Sequence, residues 1–311
     1  MKNTIRVGTR GSVLAMRQTE IVVERLKSVF ADTAFEVRKI KTTGDKILDA
    51  PLSKIGGKGL FTKELESALL ERSIDMAVHS LKDLPTEIPE GLCVGAVLER
   101  DNPLDVLVSV DGLSLDDLPG GAVVGTSSLR RKAQLANFRG DLEFRDLRGN
   151  LDTRIRKLKE GLYDAIVVSA AGLDRLNIDS VGRFPIPPEI SLPAVGQGAI
   201  AVECREADED IEPFLDALEH GDTRFAADAE RALLRELEGG CQVPIGALAR
   251  VEGGRLMLDA CIASLDGGRL FRDFASGPNA EAGNIGKGLA MRLLDIGGAE
   301  VMEEIRNMEK S

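Results

Sequence analysis

Apolar positions along the first half of the chain fall at two alternating periods, which predict strands followed by helices. Residues 5–8 read as a short strand. Behind Ser12, a natural N-cap, Leu14, Ile21, Val22, Leu26, Val29 and Phe30 recur at helical spacing. Residues 35–40 form the next strand, and 42–59 a long loop broken by Gly44, Pro51, Gly56, Gly57 and Gly59. Thr62 opens a helix through Leu65, Ala68, Leu69 and Leu70, and 74–78 is a buried strand leading into His79-Ser80-Leu81-Lys82-Asp83-Leu84-Pro85. Strands at 92–98 and 106–108 follow.

The pattern then repeats in kind. A strand at 122–125 runs through Thr126-Ser127-Ser128 into a helix at 129–138, a strand at 142–147 into a helix from Asn150 to Lys159 stopped by Gly161, and a strand follows at 164–169. Residues 183–193, with Pro185, Pro187, Pro188 and Pro193, are expected to be an extended crossover without an element of their own. Residues 199–203 are strand-like, and 223–237 helical with Ala226, Ala229, Leu233 and Leu237 on one face. Beyond them 245–251, 255–263 and 269–275 alternate and are joined by Gly253-Gly254 and Asp266-Gly267-Gly268, the mark of an antiparallel meander, closed by a helix at 280–296. The expected fold is α/β: two α/β lobes with mixed sheets and a small C-terminal α+β domain. A boundary falls near 183–193, and the small C-terminal module starts at about residue 222.

Composition narrows the function classes. The 311 residues carry 40 Lys and Arg against 51 Asp and Glu, a net charge of -11, which argues against general affinity for nucleic acid or anionic membranes. No run of about 18 apolar residues occurs, and the N-terminus lacks a secretory apolar stretch, so a cytoplasmic protein is expected. Cys93, Cys204, Cys241 and Cys261 lie far apart without CxxC spacing, which predicts free thiols and no metal site. No coiled coil or interface stripe is evident, and a monomer is expected.

Against an acidic background, clustered arginines are informative. Arg130 and Arg131 open a helix, where positive charge opposes the helix dipole unless an anion sits at the free N–H groups. Arg148-Gly149-Asn150 marks a second turn of the same type, with Arg145, Arg154 and Arg156 nearby, and Arg10 with Ser12 a third. Arginine-bearing turns at strand ends point to a ligand with several carboxylates or phosphates; solvated arginines are the bland alternative. Gly56-Gly57-Lys58-Gly59 is no phosphate loop, since no Ser or Thr follows Lys58, and Gly196-Gln197-Gly198 lacks the strand before it that a dinucleotide site needs. Asp83 reads as an acid, base or electrostatic stabiliser, or as half of a surface pair with Lys82. Cys241, between Gly239-Gly240 and Pro244, is either a presented thiol or a small buried residue.

Six motifs in order carry a resemblance across essentially the whole chain: Lys41-Thr42-Thr43-Gly44-Asp45, Gly57-Lys58-Gly59-Leu60-Phe61, Ala77-Val78-His79-Ser80-Leu81-Lys82-Asp83, Gly125-Thr126-Ser127-Ser128-Leu129-Arg130-Arg131, Leu147-Arg148-Gly149-Asn150 and Leu237-Glu238-Gly239-Gly240-Cys241-Gln242-Val243-Pro244. The chain resembles the porphobilinogen deaminase (hydroxymethylbilane synthase) family. The resemblance implies three domains, 1–99 with 199–217, 104–193 and 222–311, the first two like the lobes of type II periplasmic binding proteins with substrate held in the cleft between them, and a dipyrromethane cofactor attached through Cys241. It implies condensation of four porphobilinogen molecules through a cationic azafulvene-like electrophile, stabilised by Asp83. Lys82, Thr126, Ser128, Arg130, Arg131, Arg148 and Gly149 are then expected to bind cofactor, and Arg10, Ser12, Arg148, Arg154, Arg175, Gln197 and Gly198 substrate, with Lys58 and Phe61 in a covering loop. The runner-up is a non-catalytic two-lobed anion binder or sensor, which needs neither Cys241 nor Asp83; a cysteine-dependent hydrolase is more distant.

Overall fold

The computed structural model describes residues 2–46, 59–179, 182–237 and 243–310. Two compact units divide the chain, 1–101 with 198–224 and 102–197 with 225–311.

In the first unit β1 (Thr4–Arg10), α1 (Val13–Val29), β2 (Ala34–Ile40), α2 (Thr43–Lys46), α3 (Lys63–Leu70), β3 (Met76–Ser80) and β4 (Leu92–Val97) follow in order. A later strand, β10 (Ile200–Arg205), returns to complete a sheet of order β2-β1-β3-β10-β4. β1 pairs in parallel with β2 and β3, whereas β10 runs antiparallel to β3 and β4, so the sheet is mixed as expected. Ile5, Val7, Met76, Val78 and Val202 bury one sheet face against Val22 and Leu26 of α1 and against Phe214 of α7 (Glu212–Asp216). Leu65 and Leu69 of α3 cover the other face with Ile74, Ala77 and Leu92. Alternation along β1 and β3 sends successive side chains to the two layers, which is why both strands read as continuously apolar.

The second unit repeats this plan with β5 (Asp105–Ser109), β6 (Val123–Gly125), α4 (Leu129–Phe138), β7 (Glu143–Arg145), α5 (Leu151–Lys159), β8 (Ala165–Ser169), α6 (Ala170–Arg175) and β9 (Gly182–Pro185). Its sheet order is β7-β6-β8-β5-β9, with β6 parallel to β7 and β8, and β5 antiparallel to β8 and β9. β9 corrects the expected crossover without elements: the chain enters it as an edge strand, where Pro185, pairing with Val106 at its end, needs no ladder donor.

The three-stranded meander is observed as β11 (Ile245–Glu252), β12 (Arg255–Ala263) and β13 (Leu270–Pro278). Its apolar face packs with α8 (Gly221–Glu236) and α9 (Ala282–Leu293) through Ala229, Leu233, Leu258, Ile262, Leu289 and Leu293. The closing helix predicted at 280–296 is two helices. Gly297, at φ 124°, breaks the run after α9, and α10 (Ala299–Lys310) follows.

Candidate active site

In each sheet the polar turns follow the C-terminal ends of the parallel strands, where α/β sheets place ligands. In the first unit β1 ends in Arg10, and Ser12 caps α1, its Oγ accepting the Ala15 N–H at 3.3 Å. β3 leads into a single turn, Leu81–Asp83, which presents Asp83 at a side-chain exposure of 37% with the half-buried Lys82 beside it. Arg10 and Asp83 approach to 4.0 Å. Phe61 lies against the guanidinium, 4.1 Å from Arg10 Cζ to the ring centroid, a cation–π stack. A small cavity of about 50 Å³ is bordered by Arg10, Ser12, Phe61, Ser80 and Asp83, with Gln18 Nε2 donating to Ser80 Oγ at 2.8 Å.

The placement of Phe61 is itself built. Thr43 N–H and Oγ1 both donate to Glu64 Oε1, at 2.8 and 2.6 Å. Gly44 N–H donates to the Leu60 carbonyl, and a Cβ at Gly44 would meet the Phe61 ring at 2.2 Å. Only glycine lets the backbone sit on that ring. Lys58 lies outside the described residues.

In the second unit the turn after β6 is cross-braced. Thr126 Oγ1 accepts the Ser128 N–H at 3.2 Å, and Ser128 Oγ caps α4 by accepting the Arg131 N–H at 3.4 Å. Ser127 Oγ donates to the Leu147 carbonyl and accepts its N–H, tying this turn to the one after β7. There Gly149 has φ 111°, and Arg154 Nε donates to its carbonyl at 2.9 Å. Arg148 is half-buried, and among the described residues no hydrogen bond or ion pair engages its guanidinium. Arg175 ends α6 and is half-buried.

Arg130 and Arg131, expected to bind cofactor carboxylates, lie 6% exposed with their forks on one carboxylate, Asp105 of β5. Arg130 Nη1 reaches Asp105 Oδ2 at 2.7 Å, and Arg131 donates to Oδ1 from Nε at 3.0 Å and Nη2 at 2.7 Å. Gln197, expected at substrate, gives its Nε2–H to Asp105 Oδ1 at 2.9 Å and to the Pro103 carbonyl. Burial alone would push the Asp105 carboxyl up, but the two guanidiniums hold it far below the usual range. Sequence reasoning missed Asp105, because a carboxylate inside an apolar strand looks like a boundary residue until its partners are seen. The group is two cations on one anion and keeps one net positive charge. In the second unit this charge and the half-buried Arg148 guanidinium are positive groups of the kind that bind carboxylates. Gly198, at φ 90°, accepts the Asp101 N–H through its carbonyl. Cys241 lies outside the described residues; Cys93, Cys204 and Cys261 are free thiols. No group of three or more potential metal ligands occurs among the described residues.

Two family models match in chain order: "Porphobilinogen deaminase, dipyromethane cofactor binding domain" over residues 5–213, and "Porphobilinogen deaminase, C-terminal domain" over 225–295. The chain belongs to the porphobilinogen deaminase family. It is 53% identical over 306 residues to a porphobilinogen deaminase of Desulforamulus reducens, covering 98% of this chain and 99% of that protein. It is likewise 53% identical over 310 residues to one of Pelotomaculum thermopropionicum, covering 100% and 99%. Among solved structures it is similar to the periplasmic aliphatic sulphonate binding protein SsuA of Escherichia coli, at 16% identity and a TM-score of 0.42, covering 76% of this chain and 71% of that one. Family membership leaves the non-catalytic binder unfavoured, and no described helix is long and apolar enough to cross a membrane.

Proposed function

We propose that this chain is a porphobilinogen deaminase, a transferase that condenses four porphobilinogen molecules with loss of ammonia and releases linear hydroxymethylbilane by hydrolysis. The observation that carries the reading is the first unit's cavity, where a carboxylate, a guanidinium and an aromatic face meet. Porphobilinogen bears both an aminomethyl cation and carboxylate arms, so it needs both signs of charge within one small site. Asp83, 4.0 Å from Arg10, stabilises positive charge on the substrate pyrrole as ammonia departs. Arg10, Ser12, Arg148, Arg154, Arg175, Gln197 and Gly198 bind substrate, and Phe61 stacks on the Arg10 guanidinium.

Dipyrromethane, attached through the Cys241 thiolate, supplies the nucleophilic pyrrole position and the covalent anchor. Thr126, Ser128, Arg148, Gly149 and Lys82 hold its carboxylates. Arg130 and Arg131 act through the positive charge they retain beside Asp105. The three-domain division, 1–99 with 199–217, 104–193 and 222–311, separates substrate chemistry from the domain that carries the anchor. We infer a cytoplasmic monomer that binds no nucleic acid, supported by the net charge of -11. Intact-mass measurement of the purified protein tests the reading. The expected mass exceeds that of the sequence by one dipyrromethane, and added porphobilinogen releases ammonia. A fully active protein without added mass would overturn the cofactor assignment; a protein that leaves porphobilinogen unchanged would overturn the activity.

A further inference from the structure

In the sheet of the first unit two thiols meet that the proposed reaction leaves unused. β4 is an edge strand of that sheet, paired antiparallel with β10, and Cys93 lies directly across from Cys204 in the register. Directly opposed residues of an antiparallel pair stand about 4.5–5.5 Å apart at Cα, within the span that a disulfide bridges. The two sulfurs are 3.7 Å apart. A β-bulge gives them room: the pairing passes from Ala96 opposite Val202 to Val94 opposite Glu203, leaving Gly95 as the extra residue. A Cβ at Gly95 would lie 2.6 Å from Cys204 Sγ, so glycine leaves the space that this sulfur fills beside β4. The surroundings give the two sulfurs different reactivity. Cys204 is 2% exposed, in the core cluster that includes Phe214, whereas Cys93 is partly exposed on the edge strand. The Cys204 S–H, donating to Cys93 Sγ, draws the Cys93 thiol down to about 7; burial and Glu206 oppose this, and Arg224, whose Nη2 donates to the Gly95 carbonyl at 3.2 Å, favours it. The same contact, with burial, pushes the Cys204 thiol up. A partly exposed cysteine that ionises readily beside a second thiol is the arrangement that oxidants attack and a neighbour resolves.

We propose that Cys93 is a site of reversible oxidation by hydrogen peroxide, with Cys204 as the thiol that closes a disulfide between β4 and β10. The inference stands apart from the proposed reaction and uses none of its residues. The Cys93 thiolate attacks one peroxide oxygen; a sulfur–oxygen bond forms, the oxygen–oxygen bond breaks, and the hydroxide that leaves takes up the proton the Cys93 thiol had given. The product is a sulfenic acid. The Cys204 sulfur then attacks the Cys93 sulfur, a sulfur–sulfur bond forms, and the hydroxyl group of the sulfenic acid departs with the Cys204 proton as water. Two thiols and one peroxide thus become one disulfide and two waters, the peroxide gaining the two electrons that the sulfurs lose. A small dithiol returns both cysteines to thiols by exchange, entering at the partly exposed Cys93 sulfur. Closure by Cys204 stops Cys93 short of the irreversible sulfinic acid, which is the use of a second thiol at this place. Cys261 supplies the contrast within the same chain: it is 1% exposed, its Sγ donates to Gln134 Oε1 at 3.3 Å, and burial pushes its thiol up to about 11.

The purified full-length protein, treated with hydrogen peroxide in slight excess and then alkylated, is read by intact mass and by non-reducing peptide mapping. The expected mass of the treated protein is lower by two hydrogens, a peptide pair joined through Cys93 and Cys204 appears, and dithiothreitol restores both alkylatable thiols, with Cys261 reduced throughout. Cys204→Ala removes the resolving thiol, so Cys93 should instead gain one oxygen that dimedone traps. Cys93→Ser should leave Cys204 reduced at the same peroxide dose, since its own sulfur is buried. Two intact thiols in the treated wild-type protein would overturn the proposal, as would sulfinic acid at Cys93 with Cys204 still reduced; neither reading depends on a variant that folds. Oxidation of Cys204 in Cys93→Ser at the wild-type rate would overturn the order of attack. The bridge is expected whether or not the protein turns over porphobilinogen, so its fate and that of the proposed function are read separately.

Discussion

Single side chains carry most of the chemistry, and two carboxylates show how environment divides their roles. Asp83 is partly exposed on a turn and meets Arg10 at 4.0 Å, so it is accessible to substrate. Asp83→Asn keeps the shape and removes the charge; kcat should fall by about 10²- to 10³-fold with the circular dichroism spectrum unchanged, and near-normal turnover would take Asp83 out of the reaction. Asp105 is instead fully buried between two guanidiniums and Gln197. Asp105→Asn leaves two cations buried without their counter-ion, an expected loss of about 3–5 kcal/mol in urea denaturation. The arginines at 130 and 131 were visible as an anomaly in the amino-acid order, because two cations at a helix start need an anion. Which anion answers them was not visible, since Asp105 is contributed by a strand some 25 residues away.

At the level of elements, turn chemistry was the most legible feature. Ser12 caps the helix it was expected to cap, Ser128 of the polar turn caps α4, and α4 and α5 begin and end as read. Thr62 occupies the N-cap position of α3 without making a side-chain cap bond. β9 escaped the reading because proline signals a break, whereas pairing to an available edge depends on β5. α9 bears on α8 at Gly286, where a Cβ would meet the Ala229 carbonyl at 2.2 Å and the Leu233 N at 3.0 Å. Backbone atoms cannot yield as a side chain could. Gly286→Ala is therefore expected to cost about 1–3 kcal/mol, read as a lower denaturation midpoint, despite the gain in helix propensity.

For the whole molecule, charge governs the response to pH. Asp75, between Arg6 and Lys2, and Asp105 both have carboxyls held far below the ordinary value, burial being outweighed by their cationic partners. A depressed carboxyl contributes stability that is complete above its unfolded value of about 3.9 and is lost as pH falls through that value toward the folded one. The urea midpoint should thus decline steeply below about pH 4, and less steeply in Asp75→Asn. Glu66 has the opposite sign: its raised carboxyl costs stability once pH exceeds the unfolded value, so Glu66→Gln should raise the midpoint at neutral pH. The two periodicities and the turn residues determined by themselves an α/β chain of two parts with an antiparallel meander, and the strand-end arginines pointed to a ligand with several carboxylates or phosphates. These are local properties, set by side-chain direction along each segment and by the charge a turn can tolerate. Tertiary structure alone decided that Arg130, Arg131 and Gln197 converge on Asp105, that Phe61 lies over Arg10, and that Cys93 faces Cys204. Each joins residues far apart in the chain, and the cost of a buried charge can be judged only when the partner that neutralises it is in place.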